Sequence, residues 1–258
     1  MPDLTALADR LRALHVPGDP LLLLNAWDAA SARIVVEAGL PAVATTSSGA
    51  ARALGFDDGE RAPAGAMLDA IARIVAAVPG TPVTADVEGG YGLAPEELAQ
   101  RLTAAGAAGC NVEDSAHGGA RGALREPGEH AAYLAAVKAA APHLVLNARI
   151  DVHLRRAGAA EDRLELALER AERYAAAGAD CVYPITLGDE AALEAFVARA
   201  TVPVNVLWTA ETPPPARLAQ LGVARVSVGG GLFAAAVRET EALVARLKAG
   251  DPTALTVD

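Results

Sequence analysis

The stretch over residues 83–92, VTADVEGGYG, ends a short apolar run on two carboxylates, Asp86 and Glu88, and then breaks into glycines. Residues two apart on a strand point to one face, so this spacing predicts that the two acids converge where like charges repel. A divalent cation is the plainest group to offset that repulsion. Further polar residues stand at the ends of other apolar runs: Asn25; Thr46, Ser47 and Ser48; Glu113 and Asp114; Asn147, Arg149 and Asp151; Tyr183; Asn205; Ser227. The loop LGFDDGE adds Asp57 and Asp58. Oxygen-rich ligation of this kind favours Mg²⁺, with Mn²⁺ as the alternative, and Mg²⁺ typically keeps several waters that carboxylates hold. Zinc is not expected, because His15, His117, His130, His143 and His153 show no tight ligand spacing. Lysine occurs only at Lys138, inside a predicted helix, and at Lys248 in the C-terminal tail, which leaves Schiff-base chemistry without a strand-end nucleophile. Ser47 and Ser48 have no patterned base beside them, but backbone N–H groups there could hold an anion.

The elements that must position these groups alternate along the chain. Short β-branched or Leu-rich runs predict strands over 21–24, 42–45, 82–85, 109–112, 144–148, 181–183, 202–206 and 225–228. Segments of helical period predict helices over 29–38, 66–78, 95–105, 129–140, 162–177, 189–200, 213–221 and 232–247. The pair Ala-Gly recurs before strands, at 38–39, 105–106 and 177–178, where glycine past a helix end supplies the left-handed conformation. Eight such units predict one (β/α)₈ TIM-type barrel spanning 1–258, with the chemistry at the C-terminal ends of the strands. A doubly wound sheet fits less well, because Asn25-Ala26-Trp27-Asp28 carries no glycine fingerprint after the first strand.

Composition narrows the partners. Of 258 residues, 52% are hydrophobic and 21% charged, with a net charge of −10, so no basic surface is expected to take nucleic acid or an anionic membrane. The N-terminus reads as an amphipathic helix rather than a signal peptide, and no apolar run reaches spanning length. Cys110 and Cys181 are too few for a disulfide framework and fall inside predicted strands, as core residues do. A cytoplasmic location is the expectation.

The segments TADVEGGYG, NVEDS and NARIDVHL, in that order on the third, fourth and fifth strands, resemble the isocitrate lyase and phosphoenolpyruvate mutase superfamily. The resemblance runs from NAWDAASARIVVEAG through VPVNVLW to RVSVGGGL. It implies an (α/β)₈ barrel, usually tetrameric, whose last helix is exchanged between subunits. It also implies that Mg²⁺ binds a small α-oxo acid and that an enolate-like intermediate forms. Carried over by position, it makes Asp86 the direct metal ligand, while Asp58, Glu88 and Glu113 hold the metal's waters. Arg149 engages the substrate's carboxylate or carbonyl side, Asn205 contacts the substrate, and the amides of Thr46, Ser47 and Ser48 grip the oxo-acid carboxylate. Dimers or tetramers of the chain follow from the same likeness.

One departure bears on the reaction. Lyase members carry a Lys-(Lys/Arg)-Cys-Gly-His loop after the fourth strand, whereas the corresponding stretch here is EDSAHGGARGALREPGEH, without cysteine or lysine. His117 and Arg121 are then the loop's candidate acid or base groups, beside Arg149 and Glu113 in the catalytic set. Both are expected on a glycine-rich lid over residues 115–129, away from the carboxylates. The expected function is a Mg²⁺-dependent carbon–carbon lyase acting on an α-oxo or 2-hydroxy di- or tricarboxylic acid. Its reaction would be weak isocitrate or 2-methylisocitrate cleavage, or oxaloacetate decarboxylation or hydrolysis. The alternative is a catalytically idle protein that binds 2-oxoglutarate or pyruvate.

Overall fold

A computed structural model describes residues 3–118 and 123–255. Its strands are β1 (Leu21–Leu23), β2 (Asn25–Ala26), β3 (Val43–Thr45), β4 (Val83–Asp86), β5 (Gly109–Glu113), β6 (Val145–Ile150), β7 (Cys181–Pro184), β8 (Asn205–Leu207) and β9 (Arg225–Ser227). Strands β2 to β7 pair in sequence order, and β1, β9 and β8 form a second parallel set. A parallel bridge from Val182 to Val204 joins the two sets at one side. At the other side β1 and β2 are consecutive pieces of one strand, so the ring is that of a TIM-type barrel. The sequence predicts a single first strand over 21–24, but the chain changes partner at Leu24. Leu21–Leu23 lie against Arg225–Ser227, and Asn25–Ala26 against Ala44–Thr45.

The helices are α1 (Leu4–Ala13), α2 (Ala29–Glu37), α3 (Ser47–Ala53), α4 (Ala64–Ala77), α5 (Pro95–Ala105), α6 (Pro127–Ala140), α7 (Val152–Arg155), α8 (Arg163–Ala176), α9 (Glu190–Arg199), α10 (Pro215–Gln220) and α11 (Gly231–Lys248). Asp3 caps α1 by accepting from the Thr5 N–H. Leu7, Ala8 and Leu11 then pack with Leu21, Leu23, Ala108 and Val145, so α1 covers the end of the barrel where the strands begin. Burying each of those leucines contributes roughly 1.5–3 kcal/mol. Gly39, Gly106 and Gly178, at φ +85°, +82° and +95°, end their helices as the Ala-Gly pairs predict.

Two short helices, α3 and α7, are not in the sequence reading. Each begins within two residues of a strand end and is too short to show a period. Cys110 and Cys181 are buried, and burial pushes both thiols up to about 12, so they are neutral core residues. At the C-terminus α11 runs for 18 residues with none buried. Among the described residues no helix is long and apolar enough to cross a membrane.

Candidate active site

The chemistry begins where β3 and β4 end side by side. Thr46 caps α3 by accepting from the Gly49 N–H, which brings Ser47 onto the first turn and its N–H within 3.0 Å of Asp86 Oδ2. The Asp86 N–H donates to Thr45 Oγ1 at 2.8 Å. Asp86 Oδ1 is buried and has no partner among the described residues. The turn expected at Thr46, Ser47 and Ser48 is thus the start of a helix, and the Ser47 amide is already committed to Asp86.

Glu88 comes near Asp86 by a route the spacing does not predict. The ladder stops at Asp86, and Glu88 sits at φ +49°, so the period-two rule no longer applies to it. Its Oε2 accepts from the Glu60 N–H at 2.5 Å, while Oε1 is buried without a partner among the described residues. Burial raises the Glu88 carboxyl most; the Glu60 N–H opposes this, the charges of Asp58, Asp86 and Glu113 add to it, and the result is about 8. Glu60, which the sequence reading did not single out, holds this turn: its Oε1 accepts from the Tyr91 N–H at 2.6 Å. A Cβ on Gly89 would stand 2.9 Å from Arg125 Nη2 and 3.1 Å from Glu60 Oε1, so a side chain here would push on the tips that hold this turn.

Arg149, near the end of β6, is gripped by two acids. Nε and Nη2 form a fork on Asp151 at 2.7 and 3.1 Å, and Nη1 lies 2.6 Å from Glu113 Oε2. One N–H on each terminal nitrogen is left over, since the guanidinium has five donors. The other oxygen of Glu113 meets His117 Nε2 at 2.7 Å. Burial pushes the Glu113 carboxyl up, with Arg149 opposing; the His117 pKa is raised by its bond to Glu113 despite burial. His117 lies within the carboxylate cluster and not apart from it as expected, because the chain after β5 folds back and seats the ring on Glu113.

The rest of the lid stem is also tied down. The Ala116 N–H donates to Ala123 O, the Arg125 N–H to Asp114 O, and Arg125 Nη2 to Gly89 O. Arg121 lies outside the described residues. Asp114 turns away from the rim: Oδ2 accepts from Arg170 Nη1 and Tyr174 Oη, both at 2.9 Å, and Oδ1 accepts from the Asp151 N–H. It supports Asp151, which in turn orients Arg149.

Two adjoining cavities open at these strand ends. The larger, about 380 Å³, reaches from Asp58, Asp86 and Arg149 to Gly229, Gly230 and Gly231. The smaller, about 210 Å³, is lined by Glu88, Glu113 and His117, and shares Ser47, Asp58, Arg149 and Leu154 with the first. Thr46 and Ser48 line the larger one. Asp58 stands at the mouth of both, accepting from Ser47 Oγ at 3.4 Å, with its carboxyl raised by burial and then by Asp86. A third hollow, about 480 Å³, lies between α8 and α9 beside the exposed Arg199–Glu165 pair and shares no lining residue with the other two.

Asn205 is not brought to the cavity wall. The sequence predicts its strand over 202–206, which would put it near the exit, but β8 starts at Asn205. The side chain is fully buried, with Oδ1 accepting from Ser227 Oγ at 3.3 Å. Asn111, absent from the sequence reading, does line the cavity. Its place two residues before Glu113 in NVEDS was the available signal, since both then share one face of β5.

Among the described residues no three His, Cys, Asp or Glu side chains surround a common point as a complete metal cage. What the rim has instead is crowded acids: among the described residues one oxygen on each of Asp86 and Glu88 is buried without a partner, and burial together with neighbouring acids raises the carboxyls of Asp58, Glu88 and Glu113.

The family described as phosphoenolpyruvate phosphomutase matches the chain over residues 11–248. An uncharacterized protein of Mycobacterium tuberculosis is 37% identical over 86% of this chain and 84% of its own. The oxaloacetate decarboxylase of Rhodopseudomonas palustris is 34% identical over 95% of this chain and 87% of its own. Among solved structures, a candidate phosphonomutase from Burkholderia cenocepacia J2315 superposes with a TM-score of 0.86 at 44% identity, covering 92% of this chain and 98% of that one.

Proposed function

Because the chain belongs to the phosphoenolpyruvate phosphomutase family, within the isocitrate lyase superfamily of carbon–carbon lyases and mutases, we propose that it is a Mg²⁺-dependent lyase. Its substrate is an α-oxo or 2-hydroxy di- or tricarboxylic acid, and the reaction passes through an enolate-type intermediate. The observation that carries this reading is Asp86: one oxygen is fixed by the Ser47 N–H, and the other is buried, unpartnered among the described residues and beside the cavity that Arg149 also lines.

The residues fit a hard divalent cation. The donors are all carboxylate oxygens: Asp86 would hold such an ion directly through its unpartnered oxygen, and Asp58, Glu88 and Glu113 through its waters. The chemistry such an ion supplies is polarisation of the oxygen on C2 of the substrate. Arg149, locked by Asp151 and Glu113, directs its remaining N–H groups at the acid's oxygens and stabilises the charge that develops there. The Glu113–His117 pair holds a proton at Oε1 or Nε2, within the smaller cavity, ready for the carbon released from the bond that breaks.

Oxaloacetate is the first substrate to test, given the activity named for the Rhodopseudomonas relative. Substituted malates and isocitrates follow from the same intermediate. A panel of these acids with Mg²⁺ or Mn²⁺, followed by NMR for consumption and by calorimetry for binding, tests the reading. Consumption that stops with EDTA and returns with Mg²⁺ is the expected result. Binding without consumption of any acid would favour an oxo-acid-binding protein, and binding undiminished after verified metal removal would overturn the metal-centred reading. We also propose that the chain works as a homodimer or homotetramer. The wholly unburied α11, with Val244 58% and Leu247 41% exposed, supports its seating on a second copy. Light scattering that shows a monomer would remove that part of the proposal.

A further inference from the structure

Beneath the larger cavity the barrel interior is polar, where barrels ordinarily stack branched apolar side chains. Arg225 is fully buried, and neither its Nε nor its Nη1 has a partner among the described residues. Its Nη2 donates to Asn111 Oδ1 at 3.0 Å, and Asn147 Nδ2 donates to the same oxygen at 2.8 Å. An arginine has no acceptor atom, so the atom of Asn111 that it meets has to be the oxygen. With the oxygen held from two sides, the amide nitrogen is turned the other way. Asn111 is 6% exposed, lines the cavity that holds Asp86 and Arg149, and among the described residues nothing accepts from its Nδ2. An aliphatic side chain at 225 would fill this layer without burying an incompletely bonded cation, so packing does not account for the arginine. What it holds does.

We infer that Asn111 contacts the substrate, its Nδ2 donating to an anionic or carbonyl oxygen of the bound acid, and that Arg225 is the positioning residue that keeps a donor facing the cavity. The inference rests on the reading of this cavity as an oxo-acid site. It adds a specificity rule: the acid must offer an acceptor oxygen to the cavity floor, and an analogue with an alkyl group there binds less well.

Oxalate, a stable planar dianion with the outline of an oxo-acid enolate, is the probe, titrated calorimetrically into the full chain with saturating Mg²⁺. Asn111→Asp preserves the oxygen that Asn147 and Arg225 hold but turns an acceptor and a negative charge into the cavity; affinity should fall about 100-fold. Asn111→Ala removes the donor without adding charge and should cost about tenfold. Arg225→Met should weaken oxalate several-fold in the wild-type background and not at all on top of Asn111→Ala, a coupling that a purely structural role would not produce. Should Arg225→Met fail to fold, the two Asn111 variants decide the matter. Wild-type affinity in Asn111→Ala, or an equal loss from Arg225→Met in both backgrounds, would overturn this inference alone. A wild-type protein that binds oxalate, pyruvate and oxaloacetate not at all would overturn it together with the proposed function.

Discussion

Asp180, at the end of the barrel where strands begin, accepts from Arg12 Nε at 3.0 Å, Lys138 Nζ at 2.7 Å and the Leu146 N–H at 2.8 Å. Asp86, at the opposite end, accepts from one backbone N–H, and among the described residues its second oxygen is buried and unserved. Both acids adjoin a strand, yet one has its charge balanced twice over and the other is surrounded by more acids. The first arrangement tethers α1 and α6 to the sheet. The second withholds compensation, which a folded protein tolerates where a ligand is to supply it.

Substitutions at the two ends should therefore fail in different ways. Asp86→Asn is expected to lower turnover about 1,000-fold, worth about 4 kcal/mol, while leaving the melting temperature unchanged or raised. A parallel loss of stability would mean that Asp86 is structural after all. Next in size is the metal itself: Mg²⁺ at 100 times its Kd should stabilise the wild type by about 2.7 kcal/mol in urea melts and leave Asp86→Asn unmoved. Asp180→Ala should do the reverse, losing about 2 kcal/mol of stability with oxo-acid affinity intact. That figure is discounted from the fully buried range because Lys138 and Arg12 still reach solvent. The effect that is smallest per step, a single pH unit, lies away from both acids. Burial lowers His15 to about 4 and His130 to about 3, so each stays neutral in the folded chain while the unfolded chain takes up a proton below about 6.5. Each histidine thus removes about 1.4 kcal/mol per pH unit as pH falls from 6.5 toward 4. His130→Phe, stacked on Tyr133 as the ring is now, should flatten the urea-derived stability slope by that amount; an unchanged slope would refute the assignment.

The barrel was legible because its strands are apolar runs closed off by glycine and separated by helical period, as at 105–112, where Ala-Gly precedes Ala-Ala-Gly-Cys-Asn-Val. The division of the first strand was not, since nothing in LLLLN says which neighbour each leucine takes. At the rim, residue type and strand-end position pointed to Asp86, Glu113 and Arg149, all three of which line the cavities. They could not place Glu88 or Glu60, whose positions depend on left-handed backbone at φ +49° and +59° rather than on any period. For Asn205 the strand boundary moved: β8 begins at this residue instead of running over 202–206, and its side chain is buried in the interior. Arg225 carried no signal at all: an arginine in a short strand reads as surface, and only the folded chain encloses it.

The pairing of Leu21 with Arg225 has a consequence in time. The ribosome releases Leu21 about 200 residues before its partner, an interval of about 10–40 s at ordinary rates of synthesis. Throughout it, β2 to β7 can assemble one after another, each new strand docking beside the last. Helix α1 can already lie over Leu21 and Leu23, but the pairing edge of β1 that β9 takes stays open, because that strand has not been made. Nascent chains stalled short of residue 225 therefore carry an open pairing edge of the kind that chaperones and other chains capture, and the barrel's first strand is the last to gain a strand partner.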